Sequence, residues 1–567
     1  MKTLINRLKY EIHYEDIDND FSIVKFKTSE MYIKFGAAIL DNEDIHAKSI
    51  AFENGPQFYA LLNKGEEKQL RFIDLKDPTI SFEVVGACNV PTYLLIRLFI
   101  NYLNNFKNES FNNLGGSFYK IHKITYNGKY IEVLKLSVTA DYIVEVSATK
   151  FMQVTQINKA YPLYTFSGKN NSFKRVYEIV EQTPTYINKS PKKTEIQFLD
   201  IVKKEGRACF IYDVIEKVNK NYSKYINLKL EEIEIIKKID SLEKEFMDTT
   251  ISQYKKLPCY VLNLSNTSED KYGFYKIKEC IEKYTGSNIR KVSKINPDGI
   301  NLVYIHDADY YADNKLEDPY KKLSISSPVQ RFTVENYKSY FDNNGEPSAA
   351  LKTILKESVI KHDVFIKNEL SFDDWNRYNF KNDWIFGIAK ETKNDDEKNE
   401  EYYFITIHPN GKFECKKFVN TLFSADEYEL YRQTLAGTNG STVFIKDDNG
   451  NINLIEQTNM YTLPNLEYYK CNVGRGKNDR DGFYPGLVDI NYYDLDGIYY
   501  YNVGPYGTGM QSSIPKASHL YKINVINNSK SIVKDLLDLM GVSFVKYNSF
   551  TVLPYPIKYL REFAKID

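Results

Sequence analysis

Between residues 256 and 361 the chain alternates short apolar runs with segments of helical period, and this alternation restricts the fold more than any other feature. Cys259 to Leu264 (CYVLNL) reads as a short buried strand. YGFYKIKECIEKY reads as a helix, SNIRKVS as a second strand, and INLVYIH, Ile300 to His306, as a third. Strands and helices of these lengths in alternation predict an α/β unit on a parallel sheet. SPVQRFTVENY adds another extended piece, and SAALKTILKESVIK, Ser348 to Lys361, has the spacing of an amphipathic helix.

That unit is only part of the molecule. At 567 residues the chain exceeds one hydrophobic core, so roughly two to four domains are expected. Residues 1–160 mix alternating strands (FSIVKFK, MYIKFGAAIL, QLRFIDL, TISFEVVGAC) with the apolar helix PTYLLIRLFINYLNNF and a later strand pair, KYIEVLKLSVTADYIVEVSATKFMQV. Residues 161–255 are expected to be a helical linker, since Lys/Glu alternation from 195 to 250 marks a solvated helix face. The last 200 or so residues carry many strands (DWIFGIAKE, EYYFITIHP, KFECKKFV, STVFIKD, NINLIEQT, GIYYYNVGP, SHLYKINV), and KSIVKDLLDLMG is a helix with Gly541 as its cap.

Composition excludes several classes. Lys+Arg and Asp+Glu tie at 75 each, and a protein that coats nucleic acid should be basic. Any such site must then be a lined channel with acidic surface elsewhere. The 47 tyrosines and 33 phenylalanines are mostly sheet and core residues, with base stacking as the alternative use. The six cysteines lie far apart without a CxxC pair, which argues against disulfide frameworks and zinc and points to a reducing cytoplasm. No run of about 18 apolar residues is present to span a membrane, and MKTLINRLKYEIHYED is charged throughout, unlike a signal peptide.

An α/β unit whose third strand leads into a Tyr/Lys-bearing loop, then a Gln, then a Lys-bearing helix resembles the MID domain of the prokaryotic Argonaute/PIWI family. Here INLVYIH runs into DADYYADNKLEDPYKKL, the Gln of VQRF is Gln330, and AALKTILKES brings Lys356. The upstream pair is open: Tyr311 with Lys315, or Tyr320 with Lys321 or Lys322, of which Tyr320 and Lys321 are preferred. The resemblance implies that these residues hold the 5′ phosphate of a guide strand, with the tyrosine stacked on the first base. Lysine supplies point charge to a terminal phosphate and a Gln amide supplies a directed hydrogen bond. Each lysine taken alone is more simply a solvated charge.

The C-terminal third is similar to a PIWI domain through SFTVLPYPIKYLREFAKID. The resemblance implies that the carboxylate of Asp567 lies near the guide phosphate, where a Mg²⁺ ion would also sit. YYYNVGPYGTGMQSSIPKASHLYKI places Ser512, Ser513, Lys516 and Lys522 as candidates for nucleic-acid backbone contact. Active members of the family cut with four acidic or His residues around two metal ions. After Trp384-Ile385-Phe386-Gly387-Ile388 this chain has Ala389, which ligates no metal. Asp447 suits either the second position or a β-turn, His519 stands at the late position, and no glutamate finger is evident.

The expected architecture is therefore α/β and multidomain: a β-rich N-terminal lobe (1–160), a helical linker with PAZ absent or reduced (161–255), a Rossmann-like MID domain (256–365) and an RNase H-like PIWI domain (366–567). The implied function is guide-dependent recognition of plasmid or phage nucleic acid without cleavage, a separate nuclease or helicase acting as effector. A metal-dependent nuclease using Asp383, Asp447, Asp489 and Asp494, and a scaffold that binds no nucleic acid, are the alternatives.

Overall fold

The computed structural model describes residues 2–565 apart from 28–39, 41–46, 55–56, 73–80, 104–117, 125–128, 156–162, 168–171, 177–178, 180–182, 190–206, 240–244, 266–269, 327, 395–396, 420–426, 437, 439–441, 464–489, 503–518, 527–532 and 541–552. The chain divides into two compact units. The first is Met1–Glu234 with Asn459–Pro485 and Ser512–Ala517, and the second is Ile235–Thr458 with Gly486–Gln511 and Ser518–Asp567.

The first unit is β-rich, as expected. Phe21–Lys27, Ser49–Asn54, Gln57–Asn63 and Ser81–Val85 form a four-stranded antiparallel sheet. Leu94, Leu95, Leu98 and Phe99 are buried on the helix Thr92–Tyr102, at the helical spacing read from the sequence. A six-stranded sheet takes in Tyr130–Val138 and Val144–Val154, and also Leu163–Ser167, Ser172–Val176 and Thr185–Lys189.

These last three strands, with a fourth at Ile226–Ile239, correct the helical reading of 161–255. Helix survives at Arg207–Tyr222 and Glu245–Lys256. In INLKLEEIEIIKKI, burial alternates at Ile226 and Leu228 and again at Glu231 and Ile233, with Lys229, Glu232 and Glu234 exposed, a period of two that changes phase between Leu228 and Glu231. The Lys/Glu pattern belongs to the outer face of a strand. Glu231 is buried on the other face, where Arg7 and Lys9 of the antiparallel strand Lys2–Ile12 reach it at 3.4 and 3.3 Å.

The second unit contains the predicted parallel sheet, in the order Ile289–Val292, Cys259–Asn263, Ile300–Ile305, Val329–Thr333. All six residues of Ile300–Ile305 are buried, as expected for an inner strand covered on both faces. The helix Ala349–His362 begins where Ser348 Oγ accepts the Leu351 N–H at 3.3 Å. Its Leu351, Leu355 and Val359 join one apolar cluster with Phe332, Trp375, Trp384, Tyr555 and Tyr559.

Strands from residue 384 onward run in the order Ile490–Leu495, Ile498–Asn502, His519–Val525, Ile452–Leu463, Val443–Lys446, Trp384–Asn394, Glu397–Ile407, Phe413–Val419 within a ten-stranded sheet, in which Ile490–Leu495 also pairs with Ile226–Ile239. The described pairings of residues 384–458 with one another are antiparallel, including Trp384–Asn394 with Val443–Lys446. Turns of a few residues join most of these neighbours, and a short turn can return the chain only antiparallel. Among the described residues no helix is long and apolar enough to cross a membrane.

Candidate nucleic-acid interface

The strand Val329–Thr333 and the helix Ala349–His362 bring together the Gln and one face of the Lys-bearing helix. Gln330 is buried and donates from Nε2 to Glu357 Oε2 at 3.1 Å, while its Oε1 is buried without a hydrogen-bond partner. Lys361, one helical turn beyond Glu357, is buried too. Its Nζ donates to the Val329 carbonyl at 2.7 Å and to Tyr320 Oη at 3.3 Å. Burial pulls that ammonium down to about 8, against the pull of Glu562. Its place in the helix's last turn, facing the negative end of the dipole, favours the charged form.

Lys356 is 4% exposed and has no anionic partner among the described residues. Burial holds its ammonium below the usual lysine range, and repulsion from Lys352 adds to this. Successive helical positions are about 100° apart, so Lys356 lies on the face next to that of Glu357 and Lys361. A buried cation without a counter-ion is costly, and a bound anion is one way to offset it.

Tyr320 follows a cap in which Asp318 Oδ1 accepts the Tyr320 N–H at 2.9 Å and Pro319 opens the helix Pro319–Ser326. Its hydroxyl donates to the Val329 carbonyl at 3.3 Å, and burial raises it to about 12. The Arg331 guanidinium lies 4.9 Å from the ring centroid, so one ring face is already covered. Tyr311 is buried in the apolar cluster of Leu262, Val303, Ile305 and Val329. Lys315 sits exposed at a left-handed turn with φ of 55°, and Lys321 is exposed on its helix. The set read from the sequence is thus partly assembled. Tyr320, Gln330 and the Lys356 helix converge, Tyr311 packs in the core, and Lys315 and Lys321 face solvent.

Four members of the cluster were not legible in the sequence: Glu357, Lys361, Lys558 and Glu562. Lys558, on the helix Pro556–Phe563, donates to Glu357 Oε1 at 2.9 Å and to Glu562 Oε1 at 3.0 Å. Burial pulls Lys558 down, but Glu562 and Glu357 outweigh it and hold the ammonium above its ordinary value. Glu562 is fully buried. Burial raises its carboxyl, yet Lys558, Lys565 and Lys361 hold it below the usual range. Glu357 and Lys558 are 201 residues apart, and only the helical spacing Lys558/Glu562 hinted at an ion pair.

Of the other candidates, Ser512, Ser513, Lys516, Asp489 and Asp567 lie outside the described residues. Lys522 is half-buried on His519–Val525, opposite Tyr500. Asp447 is buried and closes a turn, accepting from the Asn449 and Asn451 N–H groups at 3.0 and 2.8 Å. Asp383 pairs with His408 at 2.9 Å, and Asp494 accepts the Gly497 N–H at 2.8 Å. Burial lowers His519 on its strand. Ala389 pairs with Tyr402 inside the sheet. For a Mg²⁺ ion the described residues offer no group of three His, Cys, Asp or Glu side chains. Glu357 and Glu562 are committed to lysines, so these residues do not fit the ion.

No family model matches the chain, and no curated protein matches it. Among solved structures it is similar to the X-ray crystal structure of Marinitoga piezophila Argonaute in complex with 5′ OH guide RNA. The TM-score is 0.46 at 10% identity, covering 99% of this chain and 98% of that one. A likeness at that level assigns neither fold nor function to this chain.

Proposed function

We propose that this chain is an Argonaute-like, guide-dependent nucleic-acid-binding protein without nuclease activity, which recognises invading plasmid or phage nucleic acid and recruits a separate effector. The observation that carries the reading is the buried Lys356 without an anionic partner, on the helix that also supports Gln330 through Glu357. A strand's leading phosphate would supply Lys356 with the counter-ion it lacks among the described residues. Sequence specificity then resides in the guide, with the protein gripping backbone and shape. The proposed absence of cleavage rests on Ala389, which stands after Trp384-Ile385-Phe386-Gly387-Ile388 within the strand Trp384–Asn394 and ligates no metal.

The test is to purify the full chain from cells and sequence the strands that accompany it, then to measure binding of synthetic guides with a 5′ phosphate or a 5′ hydroxyl. Gln330→Ala with Lys356→Ala is expected to weaken the phosphorylated guide by roughly 10- to 100-fold, since hydrogen bonds to charged groups are worth about 1.5–3 kcal/mol. The hydroxyl guide should change little, and equal losses for the two would place the pocket elsewhere. Matched-target cleavage with Mg²⁺ or Mn²⁺, abolished by Asp447→Ala, would replace this reading with the nuclease.

A further inference from the structure

The parallel sheet of the second unit has two edges, and Gln330 belongs to only one of them. The other edge is Ile289–Val292, flanked by the helix Asp270–Thr285. Two large aromatic rings on that helix stand in solvent, Tyr272 at 66% and Tyr275 at 53% exposure. They are three positions apart and so share a helix face. Cations are interleaved with them. Lys276 Nζ is 6.0 Å from the Tyr272 ring centroid and 5.0 Å from that of Phe341, and Lys291 Nζ is 5.8 Å from Tyr275. Lys271 and Arg290 are exposed beside them. Among the described residues none of these four cations is in an ion pair, whereas the nearby Glu282 and Glu346 are already held by Lys278 and Lys283 at 2.7 and 2.6 Å.

We infer that Tyr272, Tyr275, Lys276 and Lys291 form a second binding surface, for single-stranded nucleic acid, on the sheet edge away from Gln330. Exposed rings provide stacking platforms for bases of any sequence, and uncompensated lysines track a phosphate backbone. A protein partner would account for the rings, but four unpaired cations favour a polyanion. The surface cannot be part of the Gln330 cluster. Strand order puts three inter-strand steps between the two edges, ~14 Å at the usual spacing. A few nucleotides bridge that distance.

Local packing fixes the platform. Gly273 lies between the two rings in sequence, and a Cβ there would come within 2.5 Å of Tyr304 Oη and 3.3 Å of the Tyr337 ring. That close approach seats the helix and directs positions 272 and 275 outward.

The experiment uses the full chain and a fluorescent thymidine oligonucleotide of about 20 nucleotides with a 5′ hydroxyl, which offers bases and backbone but no terminal phosphate. Tyr272→Ala with Tyr275→Ala should weaken binding roughly tenfold or more at about 50 mM salt, while Tyr272→Phe with Tyr275→Phe retains it. Lys276→Gln with Lys291→Gln should make the salt dependence shallower. Wild-type affinity in the Tyr→Ala pair, with an unchanged salt slope in the Lys→Gln pair, would overturn the inference. So would an equal loss in the Phe pair, since the rings would then not be stacking. Because the probe lacks a terminal phosphate, a loss in the Tyr→Ala pair is distinguishable from loss of the 5′-phosphate contact at Gln330 and Lys356.

Discussion

Lys361 sets how the candidate interface responds to pH. Its ammonium is held near 8, while Glu562 is held below the carboxylate range, Lys558 above the lysine range and Tyr320 near 12. Positive charge is therefore lost from Lys361 as pH rises through about 8, and affinity for a 5′-phosphorylated strand should fall several-fold between roughly pH 7 and 9. Titrating binding of wild type against Lys361→Arg checks this, since the guanidinium keeps its charge. Stability should move the other way. The unfolded lysine near 10.5 holds its proton to higher pH than the folded one, so the contribution rises with pH from about 8 to 10.5. Glu357, whose carboxylate accepts from both Gln330 and Lys558, presents a like charge to an incoming phosphate. Glu357→Gln should strengthen the phosphorylated strand on the order of tenfold and leave the hydroxyl strand nearly unchanged, because like-charge juxtaposition is removed. A weaker phosphorylated complex would show that Glu357 supports the pocket instead of opposing the ligand.

At the scale of elements, the helix Ala349–His362 continues into a π-turn, Asp363–Lys367, that buries an acid. Asp363 accepts from the Ser371 N–H and hydroxyl and from Tyr559, yet burial raises it to about 7. The folded carboxyl thus keeps its proton above the unfolded value of 3.8, and its contribution to stability is present at low pH and lost as pH rises through about 7. Unfolding midpoints measured from about pH 4 to 8 should carry that slope, and Asp363→Asn should remove it. Gly273 gives a second test. Alanine normally gains about 1 kcal/mol over glycine inside a helix, but here its Cβ meets Tyr304 Oη at 2.5 Å. Gly273→Ala should therefore lower the melting temperature, and a rise would mean the helix can shift on its sheet. The same scale shows where sequence reading failed. The segment Ile226–Ile239 carries Lys/Glu alternation that suits a helix surface and a strand surface equally, and its cross-strand partners decided between them.

For the whole molecule, a net charge of zero means that any nucleic-acid affinity must come from local concentrations of cations. With Lys356, Lys361, Arg331 and Lys558 near one end of the strand, the log–log slope of affinity against salt should be about −2 to −3 for a single strand. A slope near zero would indicate that nucleic acid does not bind through these groups. What the sequence determined by itself was the parallel α/β unit, since apolar runs of strand and helix length alternate there and local periodicity is enough to specify them. It also put Gln330 on a strand and Lys356 on the helix that follows. Tertiary structure alone decided that Lys558 and Glu562, some 200 residues further on, meet Glu357 and Lys361, and that Tyr311 turns into the core. The physical reason is that burial and long-range ion pairing depend on which surfaces are packed together, whereas periodicity records only which face of each element is apolar.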